Sequence, residues 1–364
     1  PPDSAALGDK NYVVRVLVCV VSREGDNCRL YPNATLKKPI GLLQQYGEDE
    51  RIWFGLMTGS YTKNLSGGVL RKNIGSFGDE VATSTTGIFT TPASSVGGIV
   101  PTLDRLRISG FTGTNYGNAG EGESGSQCGT YGFVNIVNGT CRSWGNPEAE
   151  IFLEAVRYFS APSKGATPAF AGADDNIIAG LPSNIAWQDP FASLNSDQKK
   201  CSVPSIIFFS SNANTHDNDD LDSVSDIAGS PSVSSIKAKT DEIAAAEGIT
   251  SSNAYFVGRT PTNTAQDCTA KSFSNLSAVD GICPEAATRR GGYNMIGIAA
   301  YAHNTDLRSD IVGSQKLTTY GVALAPELPK VTVQVPGQEG KTVSIIPACR
   351  SYKSQNFPND DSNL

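Results

Sequence analysis

Five aspartates crowd one short stretch of this chain. Asp217, Asp219, Asp220, Asp222 and Asp226 lie in "SIIFFSSNANTHDNDDLDSVSD", Ser205 to Asp226, directly after four apolar residues, Ile206 to Phe209. With Ser210, Ser211, Asn214 and Thr215 they offer hard oxygen donors of the kind that hold Ca2+ or Mg2+. The expected ligands are Asp217 and Asp219, with Ser210 and Ser211 as further donors. The spacing is not that of an EF-hand, because "DNDDLDSVSDIAG" has no glycine at its sixth position and no glutamate at its twelfth. Carboxylates crowded together without a cation repel one another, so a solvated acidic loop is the competing reading.

Other chemistry is sparse. His216 and His303 are the two histidines, and no serine is marked out as a triad partner for either. No G-x-G-x-x-G follows a strand, and neither a phosphate-binding P-loop nor a G-x-S-x-G elbow occurs. The stretch "GGYNMIGIAAYAHNTDLRSD", with Arg289 and Arg290 before it and Asp306, Arg308 and Asp310 at its end, reads as a capped helix with surface ion pairs. These observations favour binding over turnover. The net charge of −7, with no Lys/Arg cluster, argues against nucleic acid as a partner.

Eight cysteines occur and none forms a C-x-x-C, which removes zinc-ribbon and thioredoxin readings. The local spacings Cys19–Cys28, Cys128–Cys141 and Cys268–Cys283 read as loop staples, leaving Cys201 to pair with Cys349. Reduced, buried thiols are the alternative; disulfides place the chain in an oxidising compartment. No apolar run approaches the roughly 20 residues of a membrane span. The opening "PPDSAALGDK" has neither an initiator Met nor a signal peptide, and reads as a processed chain or one that begins inside a larger protein.

The elements that would position these residues follow from apolar patterning. "NYVVRVLVCVVS" (11–22) reads as a strand buried on both faces. A helix with Pro39 in its first turn and Gly47 as its stop comes next, then a strand in "RIWFGLMTGSY". A Gly/Ser/Thr-rich insertion carries one short helix, Val100 to Leu106. "NPEAEIFLEAVRYFS" is a helix capped by Asn146, with an apolar stripe of Ile151, Phe152, Ala155, Val156 and Phe159. Beyond the strand at Ile206–Phe209 the pattern predicts a helix capped by Ser234 or Ser235 and stopped by Gly248, a strand in "NAYFVGR", the helix with His303, a strand in "KLTTYGVALAP" and a closing hairpin. Alternating helices and apolar strands predict an α/β fold with a largely parallel central sheet flanked by helices. In such sheets ligands bind beyond the carboxyl ends of strands, where the aspartates fall.

The ordered blocks "GLLQQYGEDERIWFGLMTGSY", "GGVLRKNIG", "NPEAEIFLEAVRYF", "IIFFSSNANTHDNDDL" and "YNMIGIAAYAHNTDLRSD…KLTTYGVALAP" resemble the N-terminal region of the PilC/PilY family of type IV pilus tip-associated adhesin and assembly proteins. The resemblance implies a von Willebrand factor A-like domain, with large loop-rich, disulfide-stapled insertions. One decorated domain is expected over 1–364, with its core at about 11–61, 146–160, 203–260 and 292–347 and insertions at about 62–145, 160–200 and 261–291. The C-terminal β-propeller of the family is expected to be absent. Asp217 and Asp219 match the later aspartates of the family's block, Ser210-Ser211 stand where the family tends to have Ser-Asp, and the D-x-S-x-S metal motif of A domains does not occur. The implied function is pilus biogenesis, twitching motility and attachment to host or abiotic surfaces, at the pilus tip outside the cell, with minor pilins as partners. A secreted, divalent-cation-dependent hydrolase and a purely structural docking domain for minor pilins are the alternatives.

Overall fold

The structure, a computed structural model, describes residues 18–83, 85–92, 96–107, 137–142, 145–170, 172–210, 214–221, 233–283, 289–323 and 331–345. Its first layer is local. Strands β1 (Cys28–Arg29) and β2 (Lys38–Pro39) pair antiparallel. Helix α1 (Leu42–Gly47) starts at Gly41, whose N–H donates to Gln44 Oε1 at 2.9 Å. Pro39 therefore sits in β2 and not in the first helical turn. Strands β3 (Phe54–Thr58) and β4 (Val69–Gly75) form an antiparallel pair, and α2 (Ile99–Arg105) begins where the Glu80 carboxylate accepts from the N–H groups of Ile99 and Val100, at 2.8 and 2.7 Å. An acceptor at that end satisfies donors the helix itself cannot.

The main core gathers around α3 (Glu148–Ser160). Ala149, Phe152, Leu153, Val156 and Phe159 of this helix pack with Val233 and Ile236 of α5 (Val233–Ala246), with Ile298 and Ala302 of α6 (Met295–Asn304), and with Ile206 and Phe208 of β5 (Ser205–Ser210). The short α4 (Ser196–Cys201) precedes β5. Helices α5 and α6 approach closely because Gly297 has no side chain: a Cβ there would stand 2.3 Å from both Ile236 O and Thr240 Oγ1. β5 runs parallel to β8 (Thr318–Ala323), Ser205 opposite Thr318 and Ser210 opposite Ala323. Strands β6 (Tyr255–Val257) and β7 (Thr269–Lys271) pair antiparallel, as do β9 (Val331–Gln334) and β10 (Thr342–Ile345), the expected closing hairpin.

Several expectations are corrected. Among the described residues there are five two-stranded sheets, and β5–β8 is the parallel one. The expected second core strand, β3, finds its partner in β4, inside the stretch read as an irregular insertion; β6 pairs into the stapled loop. The apolar run in β5 is buried on one side: Ile206 and Phe208 turn to the core while Ile207 and Phe209 are exposed beside Tyr320 and Val322. Residues 18–22 form turns with Val18, Val20 and Val21 exposed, and 11–17 lie outside the described residues. Ser234 and Ser235 fall inside α5, past its start at Val233. Gly248 does stop that helix, at φ +78°.

Disulfides join Cys19 to Cys28 and Cys268 to Cys283. Cys141 is also disulfide-bonded, and Cys128 lies outside the described residues. Cys201 is a free, exposed thiol at the end of α4, so the expected bridge to Cys349 is not made; Cys349 itself lies outside the described residues.

Candidate functional site

The loop after β5 is held by carboxylates, but chiefly those of its neighbours. Glu148 and Glu150 stand in the first turn of α3, where the helix dipole favours negative charge. Glu150 is fully buried and bridges two segments: Oε2 accepts from Gly67 N at 2.7 Å and Oε1 from Asp220 N at 3.0 Å. Gly67 can approach because it lacks a Cβ, which would otherwise fall 2.0 Å from the Phe170 ring. Asp220 in turn accepts from Ser66 Oγ at 2.6 Å, and Asn138 Nδ2 donates to that same hydroxyl. Glu148 Oε1 accepts from Ser210 Oγ and from Asn146 Nδ2, each at 2.7 Å. Asn146 thus does not cap α3 with its side chain. It pairs through its backbone with Thr215, giving Thr215 N a carbonyl at 2.9 Å.

Asp217 and Asp219 part company. Asp217 is fully buried and accepts from Asn214 Nδ2 and from Gly292 N, so it ties the loop to the segment before α6. Asn214 closes that contact by donating to Gly292 O at 2.7 Å. Asp219 faces outward and meets Arg290 at 3.5 Å, on the rim of a second ionic cluster where Arg259 and Arg290 share Asp280. His216, just before Asp217, stands at φ +51°, its backbone N–H donating to Arg289 O at 2.9 Å and its Nε2 buried without a hydrogen-bond partner.

Burial sets the protonation of this site. Desolvation pushes Glu150 up to about 9 against the pull of its two N–H donors, with Asp219 and Asp220 adding to the rise. It pushes Asp217 up to about 7, against Asn214 and Gly292, with Glu148 adding to the rise. His216 is lowered, first by burial and then by Arg290 and Arg289, against the pull of Asp219. Near neutrality the site is a hydrogen-bonded lock in which Glu150 keeps its proton.

Ca2+ or Mg2+ would need about six oxygens turned to one point. The two N–H donors occupy Asp217, Arg290 meets Asp219, and Ser210 gives its proton to Glu148. Among the described residues no group of three or more His, Cys, Asp or Glu side chains is placed to share an ion. The described donors therefore do not fit a resident cation, and no chemistry is derived through one. Ser211, Asp222 and Asp226 lie outside the described residues.

A second buried node was not read from the sequence. Asp174 and Arg71 form a fully buried ion pair at 2.5 Å. Asp174 Oδ1 also accepts from Ser60 Oγ, Tyr61 N, Thr62 N and Thr62 Oγ1, while Arg71 donates to Gly59 O and Thr58 Oγ1. Burial alone would raise Asp174, but Arg71 and these donors hold it below the usual carboxylate range. Glu150 was missed too, although a signal existed. Glu150 and Glu154 are like charges four apart on one helix face, which repel unless each has a partner. Glu154 finds its partners in Thr167, through N at 2.7 Å and Oγ1 at 2.8 Å.

Fold and site define a disulfide-stapled, mixed α/β module whose loops are tied to helix α3 by buried carboxylates. The family model described as "PilY1 homolog, second domain" matches residues 54–302. The chain is 34% identical over 95% of its length to the "Type IV pilus biogenesis factor PilY1 homolog" of Xylella fastidiosa (strain Temecula1 / ATCC 700964), and covers 24% of that protein. The chain belongs to the PilY1 homologue family. No solved structure matches it. Among the described residues, no helix is long and apolar enough to cross a membrane.

Proposed function

We propose that this chain is a binding module of a type IV pilus biogenesis factor, working outside the cytoplasm at the pilus tip. The observation that carries the reading is the 34% identity, over nearly the whole chain, to a protein named for pilus biogenesis. Disulfides at Cys19–Cys28 and Cys268–Cys283 support an oxidising compartment. The parallel β5–β8 pair with α3, α5 and α6 packed on one face supports a von Willebrand factor A-like core. The module acts by binding: it engages minor pilins during assembly and contributes to twitching motility and to attachment to host or abiotic surfaces. Its loops are held by buried hydrogen bonds, which suits a rigid docking surface.

Co-purification tests this. The full-length protein, with and without residues 1–364, is mixed with each minor pilin of its own bacterium. Retention of a minor pilin only by the form that carries the module is the expected result. Equal retention by both forms would remove the module from assembly.

A further inference from the structure

The strongest unassigned feature is the open face of the parallel strand pair. Paired residues of parallel strands point to the same side, so Ile207 opposite Tyr320 and Phe209 opposite Val322 make one apolar face. Their exposures, in that order, are 57, 58, 63 and 39%. The other face carries Ile206 and Phe208 into the core with α3, α5 and α6. Antiparallel sheets often leave one face to water, but parallel sheets are ordinarily covered on both, because the crossovers that join their strands lay helices over them. A contiguous apolar patch on such a sheet marks a contact surface.

Its dimensions say what fits. Each strand has six residues, so the strip is about 20 Å long and, at two strands, about 10 Å wide. A single helix is about 10–12 Å across, and about 13 residues of it span that length. The strip offers roughly 200 Å2, whereas stable association of separate proteins takes about 800 Å2 per partner. A second copy or a free partner would lose translational and rotational freedom for that small area. A segment of the same polypeptide avoids most of that loss, because its linkage keeps it at high effective concentration.

Within residues 1–364, no stretch outside the described elements reads as the required helix. Residues 108–136 are rich in glycine, 222–232 hold four serines with Gly229 and Pro231, and Pro347 and Pro358 bracket a stretch with no apolar stripe. Residues 1–17 open on two prolines and end in a β-branched run at Val13, Val14 and Val16. The matching family model describes a second domain, and the chain covers 24% of its relative, so most of that relative lies beyond the matched part.

We propose that this face is covered in cis: an amphipathic helix of about 13 residues, from a part of the same polypeptide outside residues 1–364, seats its apolar stripe on Ile207, Phe209, Tyr320 and Val322. The face is then a seat between domains and not the surface that meets minor pilins. The inference uses the family assignment and stands apart from the proposed role in pilus assembly.

Hydroxyl-radical footprinting, read by mass spectrometry, compares the full-length protein with the 364-residue chain, both dilute and free of pilins. Phe209 and Tyr320 are expected to label several-fold less in the full-length protein, while Phe89 and Phe256, exposed elsewhere, label equally in both. Tyr320→p-benzoylphenylalanine in the full-length protein is then irradiated. The expected crosslink joins position 320 to a peptide outside residues 1–364, at the mass of a single chain. Equal labelling of Phe209 and Tyr320 in the two proteins would overturn the proposal. So would protection that grows with protein concentration and a crosslink of doubled mass, which assign the face to a second copy. Protection that appears only when purified minor pilins are added, or a crosslink back into residues 1–364, would overturn it equally. If the 364-residue chain does not stay in solution, the crosslink decides by the same criteria.

Discussion

At the residue scale, two aspartates two positions apart have opposite fates. Asp217 is buried and completes contacts to Asn214 and Gly292, whereas Asp219 shares a partly exposed contact with Arg290. Asp217→Ala leaves buried donors unsatisfied and is expected to cost about 1–3 kcal/mol of stability. Asp219→Ala is expected to change stability by less than about 0.5–1 kcal/mol, because exposed pairs are screened. Denaturant unfolding of both variants, with and without added calcium, checks this. Equal losses, present only with calcium, would instead mark the two as ligands of one ion. The sequence exposed the crowd of carboxylates but could not sort it, because the donor that buries Asp217 lies 75 residues away in the chain. Asp174 was invisible for a similar reason: its partner Arg71 is 103 residues distant, and nothing local in "GADDN" announces a buried ion pair.

At the scale of elements, α3 organises the site, since its first turn holds the loop and its apolar stripe holds the sheet. Its Glu150 and the neighbouring Asp217 impose a pH dependence whose sign is fixed. Both carboxyls titrate higher when folded than the ordinary values of 4.5 and 3.8, so between those values and about 9 and 7 the folded state binds more protons than the unfolded one. Stability then falls as pH rises through that window. Asp174 acts in the opposite sense, and its contribution is lost on acidification, because its carboxyl is held low. Thermal unfolding is expected to be highest in mildly acidic buffer and to decline by a few kcal/mol toward about pH 9. Glu150→Gln should flatten that decline while lowering acid stability by about 1–3 kcal/mol, because an amide cannot accept from both Gly67 and Asp220. An unchanged slope in the variant would contradict the assignment. Helices α3 and α6 were legible because their apolar spacing is strong. The sheet was not, because strand type says little about partner: Phe54–Thr58 reads equally well in a parallel sheet or in the antiparallel pair it forms with β4.

At the scale of the molecule, the chain is stapled by disulfides and spans about a quarter of the length of the curated relative it matches. If it bears load between a filament and a surface, its disulfides limit how far it extends. The loops closed by Cys19–Cys28 and Cys268–Cys283 span sequence separations of 9 and 15. Single-molecule pulling with reductant is expected to lengthen the unfolded chain by roughly 80 Å from these two loops, at about 3.5 Å per residue. Identical lengths with and without reductant would mean the staples are not formed in solution.

The central claim is that this module serves pilus biogenesis by binding. The most direct measurement is complementation. A strain lacking its own copy of the full-length protein receives either the intact protein or one without residues 1–364, and surface pili are counted by electron microscopy with the two proteins at matched levels. The account predicts that pili return only with the intact protein. Full piliation by the protein lacking the module would contradict it.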